Sequence, residues 1–279
     1  MSNDIGTPSY IGAGREQIAY RRLGHGPSVV LIHGIPTSSY LWRNIIPSLV
    51  QDDLEVIAVD LLGYGDSDKP IGADLGIAAQ AERLATVLRK LNWNGSAIVG
   101  HDIGGGVAQL MCANNHEAAE RLVLIDTIAY DSFPEPGIAR LKDPVWDTIL
   151  SAPDFDLQKG LAKGFSRGMV HHDRITSEVI QAYERPFRGV DGRLAYLRAA
   201  RALRTEELAV RMDEVEKLNT PTLIIWGAED VFQPVRHGAR LAAAMPRARF
   251  EQVEHAGHFL PEDEPHIVAR MIIDFVKSG

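Results

Sequence analysis

The sequence predicts an α/β fold in which a mostly parallel central sheet is flanked by helices and carries an inserted helical segment. Short runs rich in β-branched residues recur at residues 28–32, 54–60, 96–100, 121–126, 222–226 and 249–253. Such continuously apolar runs suit buried parallel strands. Between them, segments 77–91, 235–244 and 265–276 carry apolar residues at helical spacing, so strand and helix alternate. The alternation stops over residues 130–213. There Pro134, Pro136, Pro144 and Pro153 punctuate a stretch that continues as helices with scattered aromatics: Trp146, Phe155, Phe165, Tyr183, Phe187 and Tyr196.

Taken in order, residues 10–21 alternate as an antiparallel edge hairpin does. The run 28–32 leads into His33-Gly34-Ile35-Pro36, a turn leaving a strand. Ser96-Ala97-Ile98-Val99 is a short apolar strand, and Gly104-Gly105-Gly106-Val107-Ala108-Gln109-Leu110 is the start of a helix. Each glycine inside a helix costs about 1 kcal/mol relative to alanine, so three together point to close packing of that helix against the sheet. The run 121–126 closes on Asp126, and Asn219-Thr220-Pro221 restarts the strand rhythm. The last run is followed by the loop Glu254-His255-Ala256-Gly257-His258-Phe259. The expected domains are a core over residues 1–129 and 214–279 and a helical cap over 130–213. The cap aromatics suit the cap's own core, although a cap above a strand-end crevice also lines the pocket beneath it.

The chain has 279 residues, 45% hydrophobic and 24% charged, which fits one globular unit of the larger α/β kind with an inserted subdomain. Its net charge of -8, without a basic run, argues against nucleic acid and anionic membrane as partners. A small neutral organic substrate, with water, suits that balance; the sequence sets no oligomeric state. Cys112 is the only cysteine, so no internal disulfide forms, and its apolar surroundings fit a buried structural thiol. Met1-Ser2-Asn3-Asp4 lacks the basic and apolar runs of a secretory signal, and no stretch approaches the roughly 18 apolar residues of a membrane span. A soluble cytoplasmic protein is expected. No phosphate-binding fingerprint follows the first strand and no His/Cys cluster has ligand spacing, so neither a metal nor an organic cofactor is expected.

The chemistry is concentrated in Gly100-His101-Asp102-Ile103-Gly104, which has the strand, sharp turn and helix of a nucleophile elbow with aspartate at its apex. An aspartate there can also be a simple helix cap; its company separates the two. A carboxylate that attacks an ester carbonyl forms a mixed anhydride and is expelled again, so ordinary esterase or peptidase work is disfavoured. Attack on an sp3 carbon with a good leaving group instead gives an alkyl ester that persists until activated water cleaves it. Carbon-halogen compounds and epoxides are such substrates. The backbone N–H groups of Ile35 and Ile103 are placed to form an oxyanion hole. His258 is the candidate general base, ahead of His255, which closes the strand. The carboxylate that orients its imidazole is Asp230, with Asp126 as the alternate acid, since both sit at strand carboxyl ends. Glu229 is expected to be solvated.

With these residues the chain resembles the α/β-hydrolase superfamily, and within it the aspartate-nucleophile branch of haloalkane dehalogenases, epoxide hydrolases and haloacetate dehalogenases. The stretches from His33 to Pro47 and from Asp60 to Pro70 are especially similar to haloalkane dehalogenases. That resemblance implies an α/β-hydrolase fold and carbon-halogen hydrolysis of the haloalkane dehalogenase type. Epoxide hydrolysis to vicinal diols is the alternative, and a non-hydrolytic binding protein or other chemistry on the same fold a third reading. In the dehalogenases the halide is held by side-chain N–H donors beside the nucleophile, where this chain has Ile103 and Ile35; Trp146 is then the candidate donor. In the epoxide hydrolases cap tyrosines protonate the leaving oxygen. The segment from Gly192 to Arg198 resembles one that carries such a tyrosine, with Leu197 in register and Tyr196 beside it; His171 and His172 are the histidine substitutes. Tyr183 and Phe259 complete the candidate pocket contacts. The arginines that grip a carboxylate in haloacetate dehalogenases are replaced by Gly105 and Gly106.

Overall fold

Eight strands form a single sheet: β1 (Ser9–Ala13), β2 (Glu16–Leu23), β3 (Ser28–Ile32), β4 (Glu55–Val59), β5 (Ala97–His101), β6 (Arg121–Ile125), β7 (Thr222–Gly227) and β8 (Ala248–Val253). Their spatial order is β1-β2-β4-β3-β5-β6-β7-β8. The β1–β2 hairpin is antiparallel and β2 meets β4 antiparallel, while all pairings from β4 to β8 are parallel. The computed structural model describes residues 5–278; the amino-terminal reading at residues 1–4 lies outside the described residues.

Because side chains alternate along a strand, the sheet divides its apolar residues between two cores. Val30, Ile32, Ile57, Val59, Ile98, Leu122, Leu124 and Ile224 face one side. Val29, Leu31, Val56, Ala58, Val99, Val123, Ile125, Leu223 and Ile225 face the other. The second face is covered by α1 (Ile46–Gln51) and, from the far end of the chain, the carboxyl-terminal helix Pro265–Lys277. On the first face lie α2 (Ile77–Lys90) and α3 (Ile103–Asn114). In α2 the buried residues Ile77, Gln80, Ala81, Leu84, Val87 and Leu88 keep the helical spacing read from sequence, whereas α3 is buried from Ile103 through Ala113. Cys112 is among the buried residues of α3, and burial pushes its thiol up to about 12.

Between β6 and β7 the described residues form helices and turns only. They are α4 (Pro136–Ala139), α5 (Val145–Ser151), α6 (Leu157–Gly168), α7 (Ser177–Glu184), α8 (Gly189–Arg201), α9 (Glu206–Ala209) and α10 (Met212–Val215), with short 3-10 turns among them. The chain then resumes with β7, α11 (Arg236–Ala244), β8, α12 (Leu260–Asp263) and α13 (Pro265–Lys277). No helix among the described residues is long and apolar enough to cross a membrane.

The topology places the site. After β3 the chain moves to one side to form β4 and returns to the other side for β5, so β3 lies between them. Connections leaving the carboxyl ends of β3 and β5 diverge there and open a crevice. The register pairs Ile32 with Gly100 and His101 with Ile125, bringing the turns after β3, β5 and β6 to one edge.

Candidate active site

Asp102 forms the bend between β5 and α3 with φ 52° and ψ -121°, a left-handed conformation that costs a non-glycine residue about 1–3 kcal/mol. Close packing holds it there. A Cβ on Gly104 would lie 2.4 Å from the carbonyl oxygens of both Ile32 and His33, so α3 approaches β3 more closely than any other residue permits. Gly34 is constrained likewise, since its Cβ would stand 2.5 Å from that of Asp102. The glycine allows the turn after β3 to pass directly against the nucleophile candidate. As a result Ile35 N donates to Asp102 Oδ2 at 3.2 Å, and the Ile103 N–H also favours the charged carboxylate.

His258 lies in the loop after β8, buried, with Nε2 4.0 Å from Asp102 Oδ2. On the other side of the ring, Nδ1 is 2.9 Å from Asp230 Oδ2. Asp230 is fixed just beyond β7 because its Oδ1 accepts from Phe232 N at 2.7 Å and Gln233 N at 2.8 Å. Three N–H groups therefore converge on that carboxylate and fix its position. Asp126 is engaged elsewhere: its Oδ1 accepts from Gly227 N at 2.8 Å and its Oδ2 has no partner. Burial, followed by the neighbouring Asp230 charge, pushes its pKa well up, which favours a neutral carboxyl. His255, by contrast, is an exposed residue with φ 56°, and Glu229 beside it is exposed as well.

Burial pushes Asp102 up to about 7, against the opposing pull of His258 and the two backbone N–H groups. For His258 burial favours the neutral ring, but the Asp230 charge and hydrogen bond, with Asp102 and Asp126, outweigh it and lift the pKa to about 9. The resting arrangement is thus an imidazolium between two carboxylates. It can present a carboxylate oxygen to a carbon atom, beside a ring that becomes a proton acceptor once it has released its own proton.

His101 was not singled out from the sequence, yet its Nε2 lies 2.8 Å from the His258 carbonyl oxygen and must donate to it. Burial holds this imidazole neutral. The link joins the elbow to the histidine loop. Tyr64 was also missed: it is fully buried between His33 and Phe187, and its hydroxyl has no partner among the described residues. Adjacency to Asp102 was an available signal for His101; for Tyr64 the quoted stretch from Asp60 to Pro70 was the only one.

A cavity of about 550 Å3 opens over Asp102 and His258. Its walls are largely apolar and include Ile35, Ile103, Phe133, Leu150, Phe165 and Phe259. Trp146 from α5 and Tyr196 from α8 also line it. The Tyr196 hydroxyl has no hydrogen-bond partner among the described residues, and burial pushes its pKa up to about 12. It keeps its proton at neutral pH. Its ring packs 5.5 Å from that of Phe187, which in turn meets Tyr64 beside His33. Trp146 instead lies beneath the Arg140 guanidinium, 5.3 Å from the ring centre.

The structure does not bring Tyr183, His171 or His172 to this cavity. The Tyr183 hydroxyl donates to Glu262, which also pairs with Arg43. His171 Nε2 is 2.9 Å from Glu264, and His172 Nε2 is 3.1 Å from the Met169 carbonyl. The reason lies in Asp263, whose carboxylate accepts from Val170 N and His171 N and from Gly257 N in the histidine loop. It draws the segment after α6 down onto α12 rather than over the cavity.

The alpha/beta hydrolase fold family matches residues 27–265. Over 274 residues the chain is 32% identical to the soluble epoxide hydrolase of Corynebacterium sp. (strain C12), covering 92% of each chain. It is 30% identical over 279 residues to haloalkane dehalogenase 2 of Mycobacterium bovis, covering 95% of this chain and 93% of the other. Among solved structures, the epoxide hydrolase CorEH without ligand is similar at 28% identity and a TM-score of 0.81, with 96% of this chain and 98% of that one covered.

Proposed function

We propose, because this chain belongs to the alpha/beta hydrolase fold family and carries a tyrosine on the wall of the cavity that holds its elbow aspartate, that it hydrolyses epoxides to vicinal diols through an ester on Asp102. The observation that carries this reading is the partnerless Tyr196 hydroxyl on the wall of the cavity that contains Asp102. Ile35 and Ile103, beside the carboxylate, offer a departing halide no side-chain donor. A departing oxygen needs a proton, and Tyr196 has one to give. The similarity to a soluble epoxide hydrolase and to an epoxide hydrolase structure supports the same choice.

In the first step an Asp102 carboxylate oxygen attacks an oxirane carbon, the carbon-oxygen bond breaks, and the ring oxygen takes the Tyr196 proton. Ester formation removes the Asp102 charge, one of those that hold a proton on His258, so the imidazolium proton passes through solvent to the more basic Tyr196 phenolate and leaves the neutral imidazole. His258 Nε2 then takes a proton from water, and the hydroxide adds to the Asp102 carbonyl carbon. The Ile35 and Ile103 N–H groups stabilise the oxyanion. Collapse breaks the carbon-oxygen bond to the substrate, whose alkoxide receives the proton from His258 as the diol leaves. The proton left on Asp102 then passes to His258, the more basic group, which restores the resting pair. Asp230 keeps the His258 ring in one tautomer throughout. Residues 130–213 act as a cap domain on the core of 1–129 and 214–279, contributing Tyr196 and the apolar walls.

A second reading, carbon-halogen hydrolysis, is favoured by Trp146 on the same cavity wall and by the similarity to haloalkane dehalogenase 2. Mass spectrometry of a His258→Gln variant separates the two. Incubated with epoxides, the variant should gain the mass of the intact epoxide on the peptide containing Asp102, and Tyr196→Phe should slow epoxide turnover by about 100-fold or more. An adduct from haloalkanes only, with halide release by the wild type, would replace the epoxide reading with the halide one. Absence of an adduct from both would overturn covalent catalysis altogether.

A further inference from the structure

The cavity mouth carries a charge opposite to that of the molecule. Along α6, Lys159, Lys163 and Arg167 follow one another at four-residue spacing, which places them in a row on the helix surface, and all three line the cavity. Arg140 lines it as well. Two acidic residues stand near them. Glu135 is paired with Arg167 at 3.2 Å, and Asp156 accepts the Lys159 backbone N–H at 2.9 Å as the cap of α6. The Lys159 and Lys163 ammonium groups and the Arg140 guanidinium enter no ion pair among the described residues, and all three residues are exposed. In a chain of net charge -8 this is a local reversal.

Beside the basic row on α6 runs a second one. Gly160 and Gly164 also line the cavity, and a Cβ on either would meet nothing within 4 Å. They leave an open furrow along the helix, bordered on its outer side by Lys163 and Arg167. Further in, the walls are apolar and end at Asp102 and His258. Cations at the mouth of a cleft with low-dielectric walls focus an attractive potential on anions. The same anion placed deep in the cavity would be repelled by the Asp102 carboxylate.

We propose that the substrate is an elongated amphiphile, with an electrophilic carbon in an apolar body and an anionic head group held at the mouth by Lys159, Lys163 and Arg140. The proposal rests on the epoxide reading above and names its substrate class. A cavity of about 550 Å3 with largely apolar walls has room for an elongated apolar body. The neutral substrate expected from sequence followed from the charge of the whole surface. The mouth is set instead by one face of α6 together with Arg140.

The test compares an unbranched long-chain epoxide bearing a terminal carboxylate with its methyl ester. Rates are measured on the wild type and on a Lys159→Gln/Lys163→Gln variant, at about 0.01 M and about 1 M ionic strength, where the screening length falls from roughly 30 to 3 Å. The acid should exceed the ester by about tenfold or more in kcat/KM at low salt, and the ratio should approach one at high salt and in the variant. Equal turnover of acid and ester, or a loss in the variant that falls on both alike, would overturn the proposal. A binding arm keeps it distinct from the chemistry: decanoate and methyl decanoate are titrated against the wild type and the double variant by calorimetry. If no epoxide is turned over, the epoxide reading falls. The mouth still stands if decanoate binds in a salt-dependent way that the variant loses, and falls if it does not.

Discussion

Asp102 is held in a left-handed backbone conformation and in a place where burial pushes its carboxyl up to about 7. A folded-state pKa above the unfolded value means that the native protein binds the proton more tightly, so ionisation works against folding. That penalty is absent below about pH 4, grows as pH rises, and is complete above about pH 7. His258 acts in the opposite sense: its raised pKa stabilises the fold below about pH 6.5, a contribution lost as pH rises through about 9. Two carboxylates share this one imidazolium, and replacing Asp102 with asparagine leaves His258 and Asp230 as a balanced pair. Asp102→Asn should therefore be inactive yet more stable at pH 8 by about 1–2 kcal/mol, a rise in Tm of roughly 2–8 °C. At pH 4 the gain should vanish. Thermal unfolding across pH checks this, and a lower Tm at pH 8 would contradict it. The residues Asp102, His258 and Asp230 were legible in sequence because each lies just beyond a run read as a strand, although the run before His258 is only half-buried. Tyr183, His171 and His172 were misplaced because the direction of a helical side chain is set by distant partners, here Glu262, Glu264 and Asp263, which no local pattern reveals.

At the scale of elements, α3 shows what the glycines after the elbow achieve. A helix buried from Ile103 to Ala113 has no amphipathic stripe, and its position depends on how near it can come to β3. Gly104→Ala should cost about 3 kcal/mol or more, since the clash is with backbone carbonyls that have no room to shift. Denaturant unfolding measures the loss; a change below about 0.5 kcal/mol would show that α3 moves freely. The strands were legible within a residue or so at each end, since apolar runs between turn residues have few other structures open to them. One-turn helices such as α4, α9 and α10 were not. Each is too short to be stable alone, so tertiary packing decides whether it forms.

Across the whole molecule, three remote segments meet at Glu262. Arg43 follows the turn after β3, Glu262 begins α12 beyond the histidine loop, and Tyr183 belongs to α7; Arg43 and Glu262 are almost fully buried. The Arg43 guanidinium bonds both carboxylate oxygens, at 2.6 and 2.8 Å. Removing one member leaves the other charge buried without its partner, so Arg43→Met should destabilise by about 3–5 kcal/mol, and adding Glu262→Leu should restore much of the loss. Equal stability of the single variant and the wild type by denaturant titration would contradict this. The sequence read helices between the runs that form β6 and β7, but nothing in it showed how that stretch is tied to the core.

Another tie has a wider consequence. The Phe259 N–H donates to the carbonyl of Gly168, so the last residue of α6 is bonded to the neighbour of His258. From there back to Lys159 the helix rises about 1.5 Å per residue, without a hinge between. The helix is in effect a ruler, with its zero mark beside His258 and its graduations in basic side chains. For the substrate class proposed above, it would measure length before any bond is broken.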